Sequence, residues 1–182
     1  ENPLLFMDVR SAEMTKYAAN ALLASRISFM NEIALLCERL GADVDNIRRG
    51  IGFDPRIGRQ FLFAGPGFGG SCFPKDLRAL VRTAEEHDFD VLVSRAAYEA
   101  NERQKKEMAA KVLRAFDGDV SGRVFAVWGL AFKANTDDMR ESASITVIET
   151  LLAGGAQIHA YDPAATEQAR EIFGDRVRFF DH

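Results

Sequence analysis

The residues best suited to chemistry lie in GPGFGGSCFPKD, residues 65–76, where four glycines precede Ser71, Cys72, Pro74, Lys75 and Asp76. Glycine permits positive φ and close approach of the backbone to a ligand, so Gly65, Gly67, Gly69 and Gly70 could turn N–H groups toward a sugar or phosphate. Tight turning alone explains such a loop equally well. Pro74 suits the first turn of a helix, which places Cys72 at a helix N-terminus, where unsatisfied N–H groups favour a thiolate. Lys75 adds positive charge, and Asp76, four residues after Cys72, shares its helical face. A thiolate beside a carboxylate suits covalent catalysis followed by hydrolysis: sulfur attacks a carbonyl, and the carboxylate orients or activates water. Each residue also has a plainer reading, Cys72 as a buried side chain and Asp76 as a complement to the helix dipole.

A second pair, Lys16 and Asn20, lies one turn apart in a run that is otherwise small and apolar (YAANALLA). Together they can stabilise a developing oxyanion, although a solvated lysine and an interhelical amide would look the same. A third group follows the segment RVFAVWGL. There WGLAFKANTDDMRES places Lys133 and Arg140 in a loop at the C-terminal end of a strand, the edge where open α/β sheets bind ligands. Both cations suit phosphate. No G-x-G-x-x-G follows this strand, so a nucleotide's base, ribose or phosphates are expected there rather than a typical NAD site. Cys37 falls on the apolar face of a helix and reads as core. It is a poor resolving partner for Cys72, which disfavours a redox-sensing thiol protein.

Helical spacing of apolar residues predicts one long helix over residues 11–40, ended by Gly41, and a short helix near 44–51. The stretch 52–70 shows no period and is long for a structureless loop, a feature usually tied to function. Helices over 74–87 and 91–116 follow. From Asp117 onward the pattern is β-α-β-α-β: a buried strand at 123–130, a helix at 142–152, strands at 157–161 and 177–180, and a helix at 164–173. That alternation implies a parallel sheet with crossover helices. The expected architecture is an all-helical domain, residues 1–117, followed by the start of a Rossmann-like parallel α/β domain, residues 118–182.

Composition narrows the classes. The chain has 182 residues, 47% of them apolar, and a net charge of −4, which argues against nucleic acid or an anionic membrane as the main partner. Two cysteines make no disulfide framework and point to a reducing compartment, so a cytoplasmic location is expected. No apolar run approaches the ~20 residues that span a bilayer. No metal-ligand spacing links His87, His159 or His182 with the cysteines. The ends read as cut, with Glu1-Asn2-Pro3 and Phe179-Phe180-Asp181-His182 at the two termini, so a segment of a longer protein is expected.

Three motifs in order, AEMTKYAANALLASRISFMNE, FDPRIGRQFLFAGPGFGGSCFPKDLRAL and WGLAFKANTDDMRES, resemble the UDP-glucose/GDP-mannose dehydrogenase family, in its UDP-glucose 6-dehydrogenase branch. The resemblance spans essentially the whole chain. It implies the family's central helical domain and the beginning of its UDP-binding domain, without the N-terminal NAD-binding domain. It further implies two NAD-dependent oxidations that turn UDP-glucose into UDP-glucuronate, a precursor for polysaccharide biosynthesis. By the same resemblance Cys72 attacks the intermediate aldehyde and Asp76 handles water and protons. Lys16 and Asn20 then hold the reacting C6 oxygen. Phe61, Leu62, Phe63, Ala64, Gly65 and Gly69 fall where the family lines its UDP-sugar, Phe132 and Lys133 match substrate contacts, and Arg56 matches an arginine that reaches the neighbouring subunit's substrate. Lys75 and Arg140 fall where the family contacts NAD, and the helix 11–40 would join a homodimer. GDP-mannose 6-dehydrogenase shares the GGSC-x-PKD pattern, whereas GPGFGG and DPRIG look more like the UDP-glucose branch. Lacking the cofactor domain, the segment alone is expected to bind a nucleotide sugar without catalysing its oxidation.

Overall fold

The computed structural model describes residues 4–181. Helix α1 runs over Val9–Leu40, two residues earlier than the periodicity predicts, because the Asp8 carboxylate accepts the Ser11 N–H and caps it. Gly41, at φ 68°, closes it in the left-handed conformation. Helix α2 (Val44–Gly52) is capped by Asp43. After the irregular segment come α3 (Phe73–Glu85) and α4 (Leu92–Ala115), and both pack on α1. A small core of Ala21, Ala24, Phe68, Leu77 and Ala97 sits where these three helices meet.

The second half holds β1 (Val124–Trp128), α5 (Ala143–Ala153), β2 (Gln157–Tyr161), α6 (Thr166–Phe173), a 3₁₀ turn at Gly174–Arg176 and β3 (Val177–Phe179). The strands form one parallel sheet in the order β1-β2-β3, with Val124 opposite Gln157 and Ile158 opposite Val177. One face of the sheet carries Ile158, Ala160 and Val177 into a core with Leu130, Ile148, Leu151, Ala169 and Phe173. Val112, Leu113 and Phe116, from the end of α4 and just beyond it, pack against the same core, so α4 serves both halves.

One expectation fails here. The strand at RVFAVWGL reads as buried, yet Val124 is 53% and Trp128 85% exposed. The β-branched and aromatic content marks a strand but says nothing about what covers it. Among the described residues, β1 is a sheet edge whose second face carries no helix.

The segment between α2 and α3 has no regular structure and is nonetheless tied down. Arg26 of α1 donates to the carbonyls of Ile57 and Gly58 at 2.8 and 3.0 Å. Asn31 of α1 accepts the Gly65 N–H at 2.8 Å, and Gln104 of α4 donates to the Gly65 carbonyl at 2.7 Å. Asn101 of α4 accepts the Phe68 N–H at 2.7 Å and donates back to the Phe68 carbonyl at 3.0 Å. Side-chain amides thus satisfy the backbone groups that a ladder would otherwise pair.

Candidate active site

Cys72 is the N-cap of α3, exposed and free, with its Sγ 3.8 Å from the Ser71 Oγ. Pro74 sits in the first turn, where a missing N–H costs nothing. One turn on, the Asp76 N–H donates to the Cys72 carbonyl at 2.8 Å, which sets the carboxylate one helical turn from the thiol.

Asp76 joins the two pairs found in the sequence. Its Oδ2 accepts from Asn20 Nδ2 at 2.5 Å, and Lys16 Nζ donates to Asn20 Oδ1 at 3.3 Å, giving a relay Lys16–Asn20–Asp76 across α1 and α3. Its Oδ1 accepts from Lys75 Nζ at 2.6 Å. Asp76 is only 3% exposed. Burial works to raise its pKa, but the hydrogen bonds from Lys75 and Asn20, with the charges of Lys75 and Lys16, outweigh it. The carboxyl therefore lies below its ordinary value. The Asp76 hydrogen bond in turn raises Lys75. A carboxylate so held is a weak base. It is better suited to fixing donors and orienting water than to abstracting a proton unaided. A cleft of about 680 Å³ opens beside it between α1 and α3, lined by Lys16, Tyr17, Lys75, Asp76, Thr83 and His87.

Gly69 and Gly70 of the glycine loop pack tightly against the second half of the chain. A Cβ on Gly69 would stand 2.4 Å from the Glu141 carbonyl oxygen, and one on Gly70 would stand 2.7 Å from the Phe132 ring. The Gly70 N–H donates to the Arg140 carbonyl at 2.7 Å. The spacing Gly65-x-Gly67-x-x-Gly70 matches a dinucleotide fingerprint on paper. It follows no strand, however, and the N–H groups of Gly65, Phe68 and Gly70 are already taken by protein.

The remaining predicted residues divide by exposure. Phe61, Phe63 and Ala64 are exposed on the segment between α2 and α3, and Arg48 stacks on the Phe63 ring at 4.5 Å. Leu62 and Gly69 are buried, and Gly65 spends both backbone polar groups on Asn31 and Gln104. Arg56 projects from its turn, held by a fork to Asp54 at 2.6 Å. Lys133 lies over the Phe132 ring at 5.3 Å, on the loop that touches Gly70. Arg140 lies on the segment whose carbonyl accepts the Gly70 N–H, two residues before Cys72, and its side chain is exposed and bonded to Asp138. Sequence reasoning missed the anchors Arg26, Asn31, Asn101 and Lys105. The contacts by which they anchor the loops reach more than thirty positions along the chain, so no local pattern signals them.

Comparisons with known proteins place the chain in a family. Residues 10–103 match the UDP-glucose/GDP-mannose dehydrogenase family, central domain, and residues 126–182 match the same family's UDP binding domain. The chain belongs to this family. It is 51% identical over 172 residues to the UDP-glucose 6-dehydrogenase of Rhizobium meliloti, covering 94% of this chain and 39% of that protein. It is also 51% identical over 162 residues to the UDP-glucose 6-dehydrogenase of Pseudomonas aeruginosa, covering 89% of this chain and 36% of that one. The structure of a UDP-glucose dehydrogenase from the hyperthermophilic archaeon Pyrobaculum islandicum superposes with a TM-score of 0.94 at 44% identity, over 100% of this chain and 42% of that chain. The chain thus spans about two fifths of the relatives it matches. Among the described residues no helix is long and apolar enough to cross a membrane.

Proposed function

We propose that this chain carries the catalytic cysteine and part of the nucleotide-sugar site of an NAD-dependent UDP-glucose 6-dehydrogenase, which oxidises the C6 alcohol of UDP-glucose to the carboxylate of UDP-glucuronate. The observation that carries the reading is Asp76, which gathers Asn20, Lys16 and Lys75 around one buried carboxylate a turn away from an exposed cysteine. An alcohol dehydrogenase that stops at the aldehyde needs no thiolate. A four-electron oxidation needs a covalent hold on the aldehyde.

In this proposal Lys16 and Asn20 hold the C6 oxygen and take up negative charge as it develops there. The Cys72 thiolate adds to the aldehyde carbon while the carbonyl electron pair moves to oxygen, which gains a proton and gives a thiohemiacetal. Its oxidation leaves a thioester. Water held by Asp76 attacks the thioester carbon, the C–S bond breaks, and the thiolate is released with the carboxylate. The oxidant for both oxidations would be NAD, two equivalents per sugar, each taking up a hydride from C6. Among the described residues, the exposed cations Lys75 and Arg140 would contact NAD, as the family resemblance implies, and both suit its phosphates. We assign residues 1–117 to the helical domain and 118–182 to the nucleotide-binding domain. Phe61, Phe63, Ala64, Phe132 and Lys133 form the sugar-nucleotide side.

The test is the number of NADH formed per UDP-glucose consumed by the intact enzyme. Two are expected for the wild type and one, with the aldehyde as product, for Cys72→Ser. Two NADH from Cys72→Ser would falsify the covalent mechanism. Oxidation of GDP-mannose in place of UDP-glucose would keep the mechanism and change the substrate. A second reading applies to the chain alone. In it the chain binds UDP-glucose, which the match to the family's UDP binding domain supports, and forms no NADH by itself.

A further inference from the structure

Three charged residues outside the Asp76 group meet beside the cysteine loop. Glu141 adopts φ 56°, a left-handed conformation that is uncommon for a residue bearing a side chain. Such a conformation persists where the surroundings over-determine it. Its carboxylate accepts from Arg78 of α3 at 2.9 Å and from Lys105 of α4 at 3.2 Å. Lys105 is 3% exposed and ion-paired as well with Glu102 at 2.8 Å, so its buried charge lies between two carboxylates. Burial tends to raise the Glu141 carboxyl, and the hydrogen bonds from Arg78 and Lys105 hold it below its usual value.

These contacts bracket the nucleophile. Ahead of Cys72, Gly70 donates its N–H to the Arg140 carbonyl, and Gly69 lies against the Glu141 peptide so closely that no Cβ would fit. Behind it, Arg78 binds the Glu141 side chain from the second turn of the helix that Cys72 caps. The two-residue segment Arg140–Glu141 thus fixes the chain on both sides of Cys72. The same loop carries Phe132, whose ring packs on Gly70.

We propose that Glu141, clamped by Lys105 and Arg78, is a positioning residue. It holds the Cys72 thiol in register with the second domain's substrate-facing loop, so that the aldehyde is captured before it leaves. The proposal rests on the function proposed above and adds a residue that does not touch the reacting atoms. Misplacing a nucleophile by about 1 Å can cost on the order of 100-fold in rate, and a thiol out of register would let aldehyde escape.

The intact enzyme is assayed for NADH per UDP-glucose and for released UDP-sugar aldehyde by mass spectrometry. The variants are Glu141→Gln, Lys105→Met, Lys105→Arg and the surface change Arg78→Gln. A partly unfolded sample makes less NADH but leaves the ratio at two, so the ratio separates positioning from mere loss of structure. Glu141→Gln and Lys105→Met are expected to give ratios between one and two, with aldehyde released and kcat lowered about tenfold or more. Lys105→Arg should restore two. If Glu141→Gln fails to fold, Arg78→Gln decides, with the same shift toward one expected. Ratios of two with kcat within twofold of wild type in Glu141→Gln and Arg78→Gln would overturn the proposal. Should the wild type not oxidise UDP-glucose, the functional reading fails by itself. The rate of Cys72 alkylation by iodoacetamide then tests the clamp: at least a threefold change in Glu141→Gln supports it, and an unchanged rate sinks it.

Discussion

At the scale of single residues, the question is how a buried carboxylate one turn from a thiol stays charged. Asp76 receives a hydrogen bond on each oxygen, one from a cation and one from an amide that a second cation holds in place. Its folded pKa lies below the ordinary 3.8, so it contributes stability above pH 3.8 that is lost as pH falls through the lowered value. Asp76→Asn keeps an acceptor for Asn20 and loses the attraction to Lys75 and Lys16. We expect it to lose about 1 kcal/mol at pH 7, since Lys75 is largely exposed and its pair is screened. The gap to wild type should close in melts taken below pH 3.8. A gap that widens in acid would mean that the folded carboxyl sits above its ordinary value. In turnover, loss of the carboxylate proposed to orient water should lower kcat by about 100-fold. The pairing of Lys16 with Asn20 was legible from spacing, because residues four apart on a helix share a face. That Asn20 and Asp76 meet was not, because 56 positions separate them.

At the scale of elements, the turns between strand and helix depend on acceptors that the sequence shows only as turn punctuation. Asp162 reads as the end of a strand before Pro163. In the fold, Asp162 Oδ2 accepts the N–H groups of Leu130 and Ala131 at 2.7 and 3.2 Å, while Oδ1 accepts those of Ala164 and Ala165, both at 2.8 Å. One carboxylate thereby ties the end of β1 to the start of α6, and it places the loop that carries Phe132 and Lys133. Asp162→Ala leaves these backbone donors without their acceptor, at a cost of about 2–4 kcal/mol. The melting temperature should fall on the order of 10 °C. Asp162→Asn, which keeps one acceptor oxygen, should fall between. A shift within 2 °C for Asp162→Ala would show that water replaces the carboxylate. Element types and order were readable from periodicity and from β-branched content. The exposure of β1 was not, because strand composition does not encode which layer covers it.

At the scale of the whole molecule, α1 is about 48 Å long at 1.5 Å per residue, and only one side of it is used inside the chain. Ala21, Ala24, Ser28 and Asn31 face inward. Leu22, Phe29 and Leu36, at seven-residue intervals, stay 64%, 53% and 49% exposed, and Val93 of α4 lines a groove with Phe29. Exposed apolar side chains repeated along one line of a helix mark a candidate interaction surface. A second copy of the same helix is the occupant that the family resemblance implies. A two-fold axis would bring each stripe onto its mate. Such a dimer needs roughly 800 Å² buried on each partner. Phe29→Asp combined with Leu36→Asp should convert the enzyme from dimer to monomer at about 10 µM in light scattering, with helicity retained; a wild-type monomer would sink the assignment. Such a dimer would also bear on the site. Arg56, with its side chain 88% exposed, is fixed to Asp54 on a turn that Arg26 of α1 holds by its carbonyls. It is therefore presented outward from a rigid mount, as a residue serving a neighbouring subunit must be. If that is its role, the monomeric variant should show a raised KM for UDP-glucose, and Arg56→Ala should match it without changing the mass. A monomer with unchanged KM would confine the dimer to a structural part and return Arg56 to the solvent.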